Sequence, residues 1–193
     1  MDDTNDIKKI FLKTLIVSLS ASGLLGIFIF LFGQFGETEG RLLLTTLSIG
    51  GCSLTGLCCS TIYPSEKYKI FSVIGIGIAG LCFVFTLFNI WGDFKNLENN
   101  WKLLLSLIVL TITFAHISLL LNIKIANQLV KNTLTATTIF IGIVAFMLLT
   151  LILGELDNGE FFYRLLGVFG ILDIVGTIVT PILNKTQKQD ETK

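Results

Sequence analysis

Apart from the cysteines, two ionisable side chains lie well inside long apolar stretches of the sequence, where a charge is costly. Asp173 lies in the run 170–175, and His116, the one histidine, lies in the run 114–118. A carboxylate near the middle of a membrane helix costs about 2.5 to 3.5 kcal/mol on insertion scales, so such groups are candidates for function. Asp173 can bind a proton or a cation, or it can be a neutral acid that hydrogen-bonds to a neighbouring helix.

The histidine can take part in the same chemistry, because imidazole gains and loses a proton near neutral pH. It can equally be a packing or hydrogen-bonding residue of its helix. On equivalent helices, His116 lies about 7.5 Å nearer the cytoplasmic side than Asp173 and about 140° round the helix axis. This offset disfavours a direct contact between the two side chains, whereas a water molecule can join them.

A serine nucleophile is the best enzymatic alternative. Gly51-x-Ser53 and His116 supply a nucleophile and a base at membrane depth. However, Leu54 stands where an intramembrane serine protease of the G-x-S-G pattern has its second glycine, and no oxyanion donor is evident. We therefore expect the protein not to be an enzyme.

The cysteines and a glycine motif favour helix packing over cofactor chemistry. No C-x-x-C pair occurs, so the cysteines are expected to be small packing residues and not a metal or redox site. Gly75, Gly77 and Gly80 match a dinucleotide fingerprint, but they lie in the middle of an apolar span without the strand that this fingerprint needs. We expect neither a cofactor nor a metal. The cysteines are Cys52, Cys58, Cys59 and Cys82.

Small residues also recur at steps of four, which places them on one face of a helix. Such a ridge allows a second helix to approach closely. We expect close helix packing along this ridge and at the three glycines just described. The ridge consists of Ser48, Cys52, Gly56 and Ser60.

The elements that carry these residues are membrane helices. Apolar residues make up 52% of the 193-residue chain and charged residues only 15%, which does not fit a water-facing surface. The 14 acidic residues balance the 14 basic ones, so we expect no nucleic-acid partner. Six stretches reach the roughly 20 apolar residues that cross a bilayer. They cover residues 14–33, 42–63, 70–91, 103–123, 133–154 and 165–183.

The distribution of Lys and Arg predicts the orientation, because positively charged loops tend to stay in the cytoplasm. Most basic residues lie in the two tails and in the second and fourth connectors, so both termini are expected inside, in a bacterial inner membrane. The expected inner set is Lys8, Lys9, Lys13, Lys67, Lys69, Lys124, Lys131, Lys185, Lys188 and Lys193, and the outer set is Arg41, Lys95, Lys102 and Arg164.

The three outer connectors share one pattern, which predicts an internal repeat. In each, a glycine is followed by a glutamate, a base four residues later and a Leu-Leu pair, and the bases recur about every 61 to 62 residues. The fold class is therefore all-α integral membrane, with three tandem helical hairpins in a pseudo-threefold bundle. We expect the sequence to form a single membrane domain, 1–193. The expected repeats are 10–63, 68–123 and 131–183, and the expected polar tails are 1–9 and 184–193.

The repeated acid and base pairs have two interpretations. They form an outer entrance that attracts cations, or they are ion pairs at helix starts on solvated loops. The repeat places Thr111 and Gly50 at the position of Asp173, so an ion site would belong to the third hairpin alone. The pairs are Glu37 with Arg41, Glu98 with Lys102, and Glu160 with Arg164.

Two functions fit these patterns. The first is a small transporter or channel-like protein for a proton or a cation, with Asp173 as the ion site and His116 near it. The alternative is a non-catalytic membrane subunit whose small-residue ridges pack against a partner membrane protein or a second copy of the chain. In both cases the lipid bilayer is the principal surrounding.

Overall fold

The computed structural model describes residues 2–32, 36–92, 100–123, 127–154 and 159–190. All six helices in these ranges are long and apolar enough to cross a membrane, and the ranges contain no strand. The predicted all-α class and the number of helices are confirmed. The helices are α1 (Asp2–Phe32), α2 (Glu37–Ser60), α3 (Lys69–Trp91), α4 (Asn100–Leu121), α5 (Gln128–Leu153) and α6 (Glu160–Asp190).

The ends of several helices follow from their residues. Two acids, Glu37 and Glu39, lie in the first turn of α2, where they meet the positive end of the helix dipole. The Asn127 side chain accepts a hydrogen bond from the backbone N–H of Gln128 at the start of α5. Gly154 ends α5 in the left-handed conformation with φ of 68°, which a glycine adopts without steric cost.

The chain divides into two compact units, Met1–Thr111 and Ile112–Lys193. In the first unit, α2 packs against both α1 and α3. Polar side chains link these helices: Ser22 donates to Thr46 across α1 and α2, and the Trp91 indole donates to Thr45 across α3 and α2. Such bonds, together with small residues, hold helices together where lipid provides no hydrophobic driving force.

The second unit contains the last turns of α4 with α5 and α6. Leu120 of α4 packs with Leu134 and Ile141 of α5 in a small buried core. The α5 and α6 helices pack closely, with the rings of Phe140 and Phe169 6.1 Å apart. This unit holds both ionisable residues singled out in the sequence.

The pattern of packed pairs bears on the expected hairpins. Among the described helices, α1 packs with α2 and α5 packs with α6, as the first and third hairpins require. The α3 helix packs on α2. The α3 and α4 helices, which the second hairpin would pair, are not one of the closely packed helix pairs among the described residues. The threefold repeat and the single membrane domain therefore stay predictions. The terminal helices also extend into both expected polar tails.

Candidate functional site

Four polar residues form one face of α6. Asp173, Thr177, Thr180 and Asn184 are spaced at i, i+4, i+7 and i+11, which aligns them along a helix. Asp173 and Thr177 are half-buried, whereas Thr180 and Asn184 are buried. Large apolar side chains on the other faces of α6 are exposed. We call these four residues the polar face of α6.

A chain of hydrogen bonds joins this face to α4. His116 Nε2 lies 2.9 Å from Thr177 Oγ1, and the Thr177 hydroxyl donates to Asp173 Oδ1 at 3.3 Å. The second distance is long for an O–H···O bond, which is typically about 2.8 Å, so it is the weaker of the two links. The hydroxyl of Thr177 thus stands between a carboxyl group and an imidazole, at the place where the sequence suggested a water.

The proton positions in this chain follow from its geometry. When the Thr177 hydroxyl gives its one proton to Asp173, its oxygen remains as an acceptor. The neighbouring His116 Nε2 must then carry a proton and donate it to that oxygen. With Thr177 as the donor to Asp173, the second link is therefore a hydrogen bond from an Nε2–H group of a neutral or a cationic imidazole.

Close packing of α6 on α5 positions the threonine. A Cβ built on Gly176 would meet the side chain of Thr137, so the glycine allows the two helices to approach at this level. Thr137 is 1% exposed, and its hydroxyl bonds to the backbone carbonyl of Thr133 in its own helix. Thr177 thus directly follows the glycine at which α6 closely approaches α5.

A proline lies one turn beyond this level. Pro181 is inside α6 and has no backbone N–H, so it cannot donate to the carbonyl of Thr177 four residues earlier. The Thr180 hydroxyl donates to a different carbonyl, that of Gly176, at 2.6 Å. Membrane helices tolerate prolines where neighbouring groups satisfy the freed backbone carbonyl.

Few charges surround the site. Within the described part of the second unit, the other charged side chains lie near helix ends: Lys131 on α5, and Glu160, Arg164 and Lys185 on α6. None of the ion pairs found among described residues involves Asp173. The described residues also contain no cluster of three or more His, Cys, Asp or Glu that could hold a metal.

Two of the three expected outer ion pairs are visible. Arg41 lies 2.6 Å from Glu37, and Arg164 lies 2.7 Å from Glu160. Both glutamates are 81% exposed, so solvent screens both pairs. Glu98 lies outside the described residues; its expected partner Lys102 has its ammonium group 5.9 Å from the Trp101 ring centre.

The small-residue ridge on α2 contacts two helices. Gly56 faces Phe11 of α1 so closely that a Cβ would meet the aromatic ring. The Cys52 thiol instead donates to a backbone carbonyl of α3 at 3.7 Å. Ser60 is fully buried, and Ser48 is half-buried and bonds within its own helix. The ridge thus serves both neighbours of α2.

The glycines of α3 differ from this ridge. Gly75 is buried, whereas Gly77 is exposed. A Cβ built on Gly77 or Gly80 would meet no atom within 4 Å in the part of the chain that is described. Their expected role in packing stays a prediction.

Sequence reasoning identified Asp173 and His116 but missed Thr177, Thr180 and Asn184. Single threonines are common in membrane helices, where they bond to their own backbone, so none stands out alone. The signal was the joint spacing with Asp173, which matches one helix face across three turns.

Comparison of the chain with protein-family models, curated proteins and solved structures finds no match. The function is therefore argued from the geometry of the site.

Proposed function

We propose that the chain is a small integral membrane protein that translocates a proton or a cation, with Asp173 as the ion site. The observation that carries this proposal is the hydrogen-bond chain from Asp173 through Thr177 to His116. Ionisable groups at membrane depth are costly, and in transport proteins they mark the path of the ion.

The position of Asp173 along α6 supports this role. At 1.5 Å per residue, the carboxyl group lies about 20 Å from the start of the helix at Glu160 and about 18 Å from Lys185. Both distances exceed a third of a hydrocarbon core of about 30 Å, so a helix that crosses the bilayer places Asp173 well inside it.

The polar face of α6 provides one side of a path. From Asp173 toward the C-terminus of α6, polar side chains continue through Thr180 to Asn184. Asn184 lies near the end of the helix that the charge distribution assigns to the cytoplasm. Between Arg164 and Asp173, the helix carries only apolar side chains and glycines. The polar route on α6 therefore opens toward one side of the membrane.

The outer acids complete the proposal. Glu37 and Glu160 are exposed at helix starts, and Glu98 occupies the corresponding sequence position in the second connector. In the proposed orientation they lie outside, and both termini lie in the cytoplasm of a bacterial cell. Acids at an entrance raise the local concentration of cations.

Ion flux in proteoliposomes tests the ion site. The wild-type protein is expected to pass protons or monovalent cations down an imposed gradient, and Asp173→Asn is expected to reduce the flux to that of empty liposomes. Asp6→Asn is the matched control, because Asp6 is an exposed acid on α1. Unchanged flux in Asp173→Asn would overturn the site, and no flux in the wild type would overturn the function.

The alternative, a membrane subunit that assembles with a partner, has its own support. Cβ atoms built on Gly167 and Gly170 of α6 meet nothing within 4 Å in the described structure, so this half of the helix can accept another helix. Co-purification of a second membrane protein in stoichiometric amount, without flux in the isolated chain, would favour this alternative.

A further inference from the structure

We propose that the translocated ion is a proton and that the hydroxyl of Thr177 passes it between His116 and Asp173. This inference rests on the proposed function and specifies its substrate. Thr177 is not an ionisable residue, yet it is the group that contacts both His116 and Asp173.

The order of donors and acceptors suits proton transfer. A hydroxyl can accept a proton at its oxygen while it gives up its own. The oxygen of Thr177 lies 2.9 Å from the imidazole nitrogen, and its proton points to the carboxyl oxygen 3.3 Å away. Both proton transfers, from His116 to Thr177 and from Thr177 to Asp173, therefore occur between groups that are already hydrogen-bonded.

The transfer balances without any other reactant. It begins with His116 as imidazolium and Asp173 as carboxylate. The Nε2–H bond of His116 breaks as that proton joins the Thr177 oxygen, and the original hydroxyl proton leaves to form an O–H bond on Asp173. The products are a neutral imidazole protonated at Nδ1, an intact threonine and a carboxylic acid, so the net charge is unchanged.

The same geometry is poor for a metal cation. Hard cations in proteins are held by about six oxygen ligands. Here one carboxyl group and one hydroxyl converge, and the hydroxyl is already engaged with an imidazole nitrogen. A protonated His116 at this position would also repel a cation.

Among their described residues, the helices of the second unit place no other ionisable group beside the hydrogen bonds that join Asp173, Thr177 and His116. On α5, the stretch 132–153 contains no ionisable residue, and the hydroxyls of Thr133 and Thr137 donate to backbone carbonyls of α5 itself. On α4, His116 is the one ionisable group between 112 and 121. On α6, Arg164 lies about 13 Å and Lys185 about 18 Å from Asp173 along the axis.

The first experiment compares Thr177→Val with Thr177→Ser in proteoliposomes. Valine keeps the shape but lacks the hydroxyl, so proton flux is expected to fall about tenfold, the factor that corresponds to the loss of roughly one hydrogen bond in the transfer path. Serine retains the hydroxyl and is expected to retain most of the flux. Wild-type flux is expected to fall in D₂O and to show no dependence on Na⁺ or K⁺.

Proton flux in Thr177→Val equal to wild type would overturn the relay while leaving the proposed function in place. Flux of Na⁺ or K⁺ that depends on Asp173 would overturn the choice of ion. Loss of flux in Thr177→Ser as well would assign the effect to packing and so contradict the relay.

An infrared measurement separates this inference from transport itself. In the detergent-solubilised protein, a pH step is expected to change a carboxyl C=O band that is absent in Asp173→Asn. The band is expected to shift in His116→Gln and in Thr177→Val but not in Thr177→Ser. If the band shifts as expected but the wild type shows no proton flux, translocation is refuted and the relay is supported. If the band does not change in Thr177→Val, the relay is refuted.

Discussion

His116 and Thr177 are 61 positions apart in the sequence, yet the imidazole Nε2 of one lies 2.9 Å from the hydroxyl oxygen of the other. This contact links α4 to α6 and turns the histidine toward the polar face of α6. Since Thr177 also donates to Asp173, one hydroxyl connects the two ionisable groups.

Replacement of Thr177 by valine is expected to have only a small effect on stability. Hydrogen bonds between membrane helices average about 0.6 kcal/mol with a maximum near 1.7 kcal/mol, so the free energy of unfolding should fall within that range. Unfolding in mixed micelles, followed by circular dichroism, measures it. Thr186→Val is the control on the same helix, because Thr186 is exposed and bonds to its own backbone. A loss above about 3 kcal/mol, the scale of a core cavity, would indicate a mainly structural residue.

Gly176→Ala is expected to disturb both packing and flux. The new methyl group would meet the buried Thr137 side chain, and such overpacking costs about 1 to 3 kcal/mol. Because Thr177 is the adjacent residue, proton flux in proteoliposomes should fall too. Gly170→Ala, which has open space around its Cβ, should behave as wild type. A second change, Thr137→Ala, should restore part of the lost stability; failure to do so would argue against this contact.

Gly56→Ala is expected to weaken the contact between α1 and α2. Its methyl group would meet the ring of Phe11, and the cost should lie at the lower end of about 1 to 3 kcal/mol because a ring can turn aside. Thermal unfolding in detergent measures the change. Gly51→Ala on the same helix meets no atom within 4 Å and serves as the control. Equal melting temperatures for the two variants would contradict the close approach.

Removal of the outer ion pairs is expected to change stability little. Glu37→Gln and Glu160→Gln each break a pair whose glutamate is largely exposed. Exposed pairs contribute about 0.2 to 1 kcal/mol, and salt screens them further. Unfolding at low and high ionic strength measures both effects. A larger loss that persists at high salt would show that these residues are held in a protected site.

Cysteine labelling tests the orientation. Ser65 and Gly159 are exposed residues in described connectors, and three helices, α3, α4 and α5, lie between them. An odd number of crossings places them on opposite sides of the membrane. In a variant without the native cysteines, an impermeant maleimide applied to intact cells is expected to label Gly159→Cys and not Ser65→Cys. The reverse pattern would invert the orientation, and labelling of both would contradict the crossings.

Much of the fold follows from the sequence, because helix length and apolar composition are local properties. The six spans were predictable within several residues at most ends. The largest difference is at α1, which begins at Asp2 and not near residue 14. The helix α1 continues through the polar residues that precede the apolar stretch. The length of the apolar stretch does not predict where such a polar extension begins. Likewise, Pro181 lies inside α6 and does not end it, and membrane helices tolerate such prolines.

The sequence predicted the two ionisable residues of the site, Asp173 and His116, but not the Thr177 hydroxyl that connects them. The rise per residue places His116 about 7.5 Å from the level of Asp173, and Thr177, four residues beyond Asp173, covers about 6 Å of that offset. This step was available from the sequence alone. The rotation of α4 that brings the imidazole to Thr177 was not, because it is a property of tertiary packing and not of the local sequence.

In the proposed relay, the offset between Asp173 and Thr177 would also make the position of the proton sensitive to membrane voltage. A proton that moves from the level of Thr177 to Asp173 travels about 6 Å along the axis, roughly a fifth of a hydrocarbon core about 30 Å thick. A full crossing of one charge is worth about 2.3 kcal/mol per 100 mV, so this step is worth about 0.5 kcal/mol. A membrane potential of about 100 mV would therefore shift the ratio of protonated Asp173 to protonated His116 roughly twofold.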